Sequence, residues 1–297
     1  MSQMQEKQNA AELPGRPGAP ETVPQRLALA AYHSLAARLS AAALLVVPSA
    51  VAVGLLVLGI EADWPPLHRL DQSVADTLHR QALAHPEWVR AMLDVSNVFS
   101  PLDMRIAVGV AAVVLWLRKA RRLAVWAVFT MAAGGLVDTV LKTAVGRARP
   151  SFADPVATAP GASFPSGHSF TSMLGAGVLV LLVLPLLPPR GRIAAWVVGA
   201  CIPLAVGYSR VALGVHWVSD VLGGWILGAG LLAVTTKVFE AWRRAEGRPE
   251  VHAVLEGVAP EETEIAVHPQ AETTAAENPV METPATESTA AEEPGAR

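Results

Sequence analysis

Long apolar runs alternate with short polar segments between about residues 39 and 240, with polar sequence on either side. A helix crosses roughly 30 Å of hydrocarbon with about 20 apolar residues. Residues 39–60, 123–141, 170–187, 193–213 and 217–239 meet that length. Residues 106–117 are short, and reach it only if their helix begins near Pro101. The pattern predicts an all-α fold, a six-transmembrane-helix bundle with disordered N- and C-terminal tails. The first run is longer than a signal-peptide core and follows a long polar leader, so it is expected to be an uncleaved span. Between the first two spans, residues 71–95 are mildly amphipathic and are expected to lie along the bilayer surface.

The tails are residues 1–30, rich in Gln, Pro, Gly and Ala, and residues 244–297, acidic and rich in Ala, Thr and Pro. Neither has apolar periodicity to offset the entropy of ordering. The membrane domain is therefore expected over residues 31–243. Composition agrees: 52% of residues are hydrophobic, 16% are charged and mean hydropathy is +0.37, against about 25% charged in a soluble domain. The net charge of -3 hides a division by region, and no nucleic-acid partner is expected. The single cysteine, Cys201, cannot form an internal disulfide and is expected to be a small buried apolar residue.

Basic residues set the orientation. Arg118, Lys119, Arg121 and Arg122 lie in one short loop, and Arg190 and Arg192 in another. Arg243, Arg244 and Arg248 follow the last span, and Arg16, Arg26 and Arg38 precede the first. All fall on one side of a six-span chain, so that side and both tails are expected to be cytoplasmic. Trp64, Trp116, Trp217 and Trp242 lie near span ends, where aromatic belts sit.

Charges at the edge of a membrane are costly and are candidates for function. Here three groups fall at the opposite, non-cytoplasmic edge. The first is Lys142, Arg147 and Arg149-Pro150, which alone could be cations snorkelling to water. The second is Pro165-Ser166-Gly167-His168, directly before a span. It is either a capping turn or an anion cradle at a helix N-terminus. The third is Ser209-Arg210 with His216 and Asp220, the last two on one helix face. A carboxylate there would fix the imidazole tautomer and free the other nitrogen to attack, although such pairs are often structural. Together the groups suit a tetrahedral dianion, with cations and backbone N–H groups on its oxygens.

Lys142-x6-Arg149-Pro150, Pro165-Ser166-Gly167-His168 and Ser209-Arg210-x5-His216-x3-Asp220 resemble, in order and spacing, the three-part signature of the type 2 phosphatidic acid phosphatase family, which includes polyprenyl diphosphate phosphatases. The resemblance implies that Lys142, Arg149 and Arg210 bind phosphate, helped by Ser166 and Gly167. It implies His168 as general acid, His216 as the nucleophile that becomes a phosphohistidine, and Asp220 as its orienting partner. It implies neither metal nor other cofactor. The implied enzyme is a lipid phosphate or diphosphate phosphatase in the plasma membrane with its site on the outer face, possible substrates including undecaprenyl diphosphate. Arg147 lies outside the signature and is expected to be solvated or to face headgroups. His33, His68, His79, His85, His252 and His268 receive no role. Soluble acid phosphatases and vanadium haloperoxidases resemble the same signature but lack lipid-facing spans. A lipid-to-lipid phosphotransferase remains an alternative. A transporter would place its charges near the midplane, and an inactive scaffold would be expected to lack a signature His or Arg.

Overall fold

The computed structural model of the chain describes residues 46–246 and 252–259. The expected N-terminal tail, the first residues of the first span and most of the C-terminal tail lie outside the described residues, as do His33, His268 and the basic residues Arg16, Arg26, Arg38 and Arg248. Helix α1 (Val46–Glu61) turns through 85° into α2 (Pro65–Ala84). There follow α3 (Pro86–Val98), α4 (Pro101–Leu117), α5 (Arg121–Val145), α6 (Gly167–Val183), α7 (Pro189–Ala212), α8 (Val218–Ala245) and a short α9 (Ala253–Glu256). Proline opens α2, α3, α4 and α7, where its missing N–H is not needed.

Five helical stretches are long and apolar enough to cross a membrane, and the bent α1–α2 pair makes a possible sixth. The chain is thus a multi-span membrane protein whose described residues form helices and no strands. The short second span does begin at Pro101, where the Ser100 hydroxyl accepts from the Asp103 N–H at 3.2 Å. Helix α3 extends it backwards, so that Pro86–Leu117 is 32 residues long. The amphipathic stretch is helical too. Helix α2 buries Asp71, Ala75, His79 and Ala82, which share one face.

Helix α6 is the axis of the bundle, contacted by α4, α5, α7 and α8. Its most apolar window is 72% buried, against 17% for α7, as expected of a helix that is hydrophobic all round. Between α6 and α8 the backbones themselves approach. A Cβ on Gly224 would lie 2.9 Å from the Ser166 carbonyl oxygen and 3.0 Å from the Phe170 nitrogen. Small residues at the contact let membrane helices pack by van der Waals attraction where water supplies no drive.

The outer helices turn Phe129, Leu136, Val197 and Leu204 outwards. Cys201 is also exposed on α7, contrary to its expected burial. An apolar run marks burial only when water is the solvent; on a membrane helix the outer face is apolar as well. Inside the stretch expected to be a tail, residues 252–259 fold against the bundle. Val258 N–H donates to the Leu181 carbonyl at 3.1 Å, and Trp196 Nε1–H to that of Val254 at 3.1 Å. Val258 and Ala259 are buried there, beside a cavity of about 920 Å³ between α6, α7 and α8.

Candidate active site

The end of α5, the 146–166 connection and the starts of α6 and α8 meet at the opposite end of the bundle from α9. The end of α7 joins them. Ser166 caps α6, accepting from the Ser169 N–H at 3.4 Å and the Ser169 hydroxyl at 3.0 Å. Its own N–H donates to the Asp220 carbonyl at 3.0 Å, tying the start of α6 to that of α8. Gly167 follows. A Cβ there would lie 2.8 Å from Lys142 Nζ and 3.1 Å from Asp138 Oδ2, so only glycine lets the ammonium reach this backbone. Lys142 is held by Asp138, one helical turn back on α5, at 2.6 Å.

His216 is buried between the bundle and the connection. Its Nε2 lies 2.9 Å from Arg149 Nη1, and its Nδ1 3.4 Å from Asp220 Oδ2. A guanidinium only donates, so Nε2 is the acceptor and the proton belongs on Nδ1, towards Asp220. Burial is the main influence on this imidazole and pushes its pKa down to about 4. Asp220 opposes that, while Arg149 and Arg210 reinforce it. The ring is therefore neutral at neutral pH, with its Nε2 lone pair facing the cations.

Arg149 is anchored by uncharged acceptors. It donates to the carbonyls of Gly161, Val215, Pro160 and Ala162 at 2.7–3.1 Å. Burial lowers its pKa and Asp220 opposes the shift. Arg210 is 8% exposed and donates to the Ser96 hydroxyl of α3 at 2.5 Å. Its Nε is buried with no hydrogen-bond partner among the described residues. Among the described residues neither arginine has a carboxylate within 4.0 Å. His168, half-buried, lies within electrostatic reach of Arg210, His216, Lys142 and Arg149. The structure thus brings all eight signature residues to one end of the bundle. Its chemistry is that of an anion site, with positive charge left unneutralised and a buried donor unmet.

Arg147 departs from expectation. It is not solvated: its side chain is 12% exposed. Its Nη1 donates to Asp220 at 2.6 Å and to the Ser219 hydroxyl at 2.7 Å, and its Nη2 to Asp71 at 2.8 Å. The guanidinium also lies 5.5 Å from the centre of the Trp217 ring. A buried cation needs carboxylates, and the tertiary fold supplies two. Asp71 and Ser96 were not foreseen as part of this region. The signal for Asp71 was available: an acid on the same helical face as Ala75 and Ala82. Nothing in the sequence distinguishes Ser96.

Residues 123–244 match the model of the PAP2 superfamily. Phosphatidylglycerophosphatase B of Bacillus subtilis is 39% identical over 107 residues, covering 35% of this chain and 52% of that protein. Undecaprenyl-diphosphatase of Sulfolobus acidocaldarius is 29% identical over 136 residues, 44% of this chain and 62% of the other. Lipid A 1-phosphatase of Rhizobium johnstonii is 39% identical over 120 residues, 37% of this chain and 46% of the other. The chain spans about half the length of the curated relatives it matches. The crystal structure of a transmembrane PAP2-type phosphatidylglycerolphosphate phosphatase from Bacillus subtilis superposes with a TM-score of 0.58 and 25% identity. That match covers 67% of this chain and 97% of the other.

Proposed function

We propose that this protein is an integral-membrane phosphatase that removes phosphate from a lipid phosphate or diphosphate through a phosphohistidine at His216. One observation carries the proposal: the Nε2 lone pair of His216 faces Arg149, 2.9 Å away, while Arg149 and Arg210 lack carboxylate partners among the described residues. Lys142, Arg149, Arg210, the Ser166 hydroxyl and the Gly167 N–H hold the phosphoryl oxygens. Nε2 attacks phosphorus and the bond to the leaving oxygen breaks. His168 protonates that oxygen, while Asp220 stabilises the positive imidazole. Water then attacks the phosphohistidine, giving its proton to His168; the P–N bond breaks and phosphate leaves. The cations supply the charge stabilisation that a metal supplies elsewhere, so the reaction runs without one.

The basic loops lie on the side of the bundle away from this site, which supports an outer-face site with cytoplasmic tails. The relatives above are named for chemically different phosphorylated lipids. Undecaprenyl diphosphate is the substrate we favour among them.

The test is phosphate release by the full chain in detergent from undecaprenyl diphosphate, phosphatidylglycerol phosphate and phosphatidic acid, with excess EDTA. Release that survives EDTA and is lost in His216→Ala supports the mechanism, and the fastest lipid gives the substrate class. No release from any of the three by folded protein overturns the hydrolase reading, and phosphate appearing on a second lipid would replace it with transfer.

A further inference from the structure

Asp71 lies on α2, 148 residues from Ser219 in sequence and outside the segment matched to the superfamily. It is nevertheless 1% exposed and fully engaged at the start of α8. Its Oδ1 accepts from the Ser219 N–H at 2.9 Å, and its Oδ2 accepts from the Ser219 hydroxyl at 2.5 Å and from Arg147 at 2.8 Å. Arg147 reaches Asp220 with its other nitrogen at 2.6 Å. Asp220 also accepts from the Trp217 N–H at 2.9 Å and faces His216. Two fully buried carboxylates thus share one cation, and one of them, Asp220, is the acid against the imidazole.

We propose that Asp71 and Arg147 are positioning residues, a strut from α2 that fixes the orientation and charge of Asp220 and through it the tautomer of His216. The inference rests on the function proposed above. Two adjacent buried carboxylates without a cation compete for a proton, and a protonated Asp220 is a poorer partner for the Nδ1 proton. Conversely, an arginine with Asp220 as its sole partner concentrates its charge there and weakens the hold on the imidazole. The shared arrangement avoids both extremes. It also makes α2 part of the site, although no signature residue lies on it.

A strut that only fastened α2 to α8 would alter stability and nothing at His216. A positioning strut makes an opposite prediction for each end. His216 is faced by Asp220 on α8, Arg149 on the connection, Arg210 on α7 and His168 on α6, with the Lys142–Asp138 pair of α5 beyond His168. These are the same in every variant, so a difference between variants belongs to the strut. Arg147→Gln removes a positive charge and raises the pKa of His216; Asp71→Asn removes a negative charge and lowers it, each by about half a unit or more.

The experiment uses the full chain in detergent, with histidine labelled with ¹⁵N and the His216 signal assigned by its loss in His216→Ala. Wild type is expected to show the Nδ1-protonated tautomer. The two variants should displace its titration in opposite directions. In parallel, kcat on the best lipid should fall about 10–100-fold, the range for outer-shell partners of a site, with KM little changed and partial rescue by Arg147→Lys. Unchanged His216 signals in both variants, or a loss of melting temperature alone, would overturn the strut. Should Asp71→Asn fail to fold, the upward shift in Arg147→Gln and its reversal in Arg147→Lys, which keeps the charge, test the strut. Wild type that shows the tautomer but releases no phosphate would sink the hydrolase reading and leave the strut measurable by its resonances.

Discussion

The two ends of the bundle carry similar residues in different arrangements. At the α9 end, Arg122 meets Glu246 at 2.5 Å and Lys237 meets Glu240 at 2.9 Å, each cation with one carboxylate. At the α6 start, Arg149 is held by four backbone carbonyls and Arg210 by a hydroxyl, with the carboxylates collected around Arg147 and Lys142 instead. Arg192 at the α9 end is likewise held by carbonyls, but the site end buries such a charge, with Arg210 8% exposed and its Nε unmet among the described residues. An arginine fixed by dipoles stays positive and oriented, ready for an anion. An arginine fixed by a carboxylate is already neutralised.

Substitutions can break this comparison at several strengths. The largest effect is expected from His216→Ala, which should lower phosphate release by about 10³-fold or more, since a missing nucleophile cannot be replaced by binding alone. Turnover of lipid in single-cycle assays checks it, and residual release near wild type would move the nucleophile elsewhere. Next comes Arg210→Ala, expected to cost about 10²–10³-fold in kcat, the scale for losing one donor to developing charge. Arg210→Glu should fail completely by converting the site end to the other end's arrangement. Steady-state kinetics with matched protein folding would show otherwise.

A smaller effect comes from pH. His216 has a folded pKa of about 4 against an ordinary 6.5. Its neutral form persists down to about pH 4, so the protein's acid limb in kcat/KM should lie near 4, once the substrate's own ionisation is subtracted. A limb near 6.5 would contradict the burial described here. Stability carries the same sign. The unfolded chain takes up the proton first, so the contribution of this group is intact above pH 6.5 and is lost as the pH falls towards 4. Melting temperatures of wild type and His216→Ala across that window test it. The smallest effect is expected from Arg122→Ala at the far end. This pair is about one-third exposed, so its loss should cost no more than about 1 kcal/mol and leave turnover unchanged. A large loss of activity there would mean that the two ends are coupled.

The sequence by itself determined the class of fold and the gathering of the site. Runs of apolar residues long enough to cross hydrocarbon can be satisfied only as helices, because lipid offers no hydrogen bonds to an open backbone. Lys142, Arg149, Ser166, His168, Arg210, His216 and Asp220 were legible because each breaks an apolar pattern at a span edge, where an unused charge is expensive. Cys201 was misjudged because the apolar pattern of a membrane helix does not tell its inner face from its outer one. Arg147 was misjudged because its two partners come from α2 and α8, elements that the local sequence around it does not contain. Asp71 and Ser96 belong to the site for the same reason, through contacts that exist only once α2 and α3 fold across the bundle end. Which residues carry charge was written in the chain. Which charges cancel was decided by tertiary structure, because a buried cation's state depends on what lies within about 4 Å of it in space.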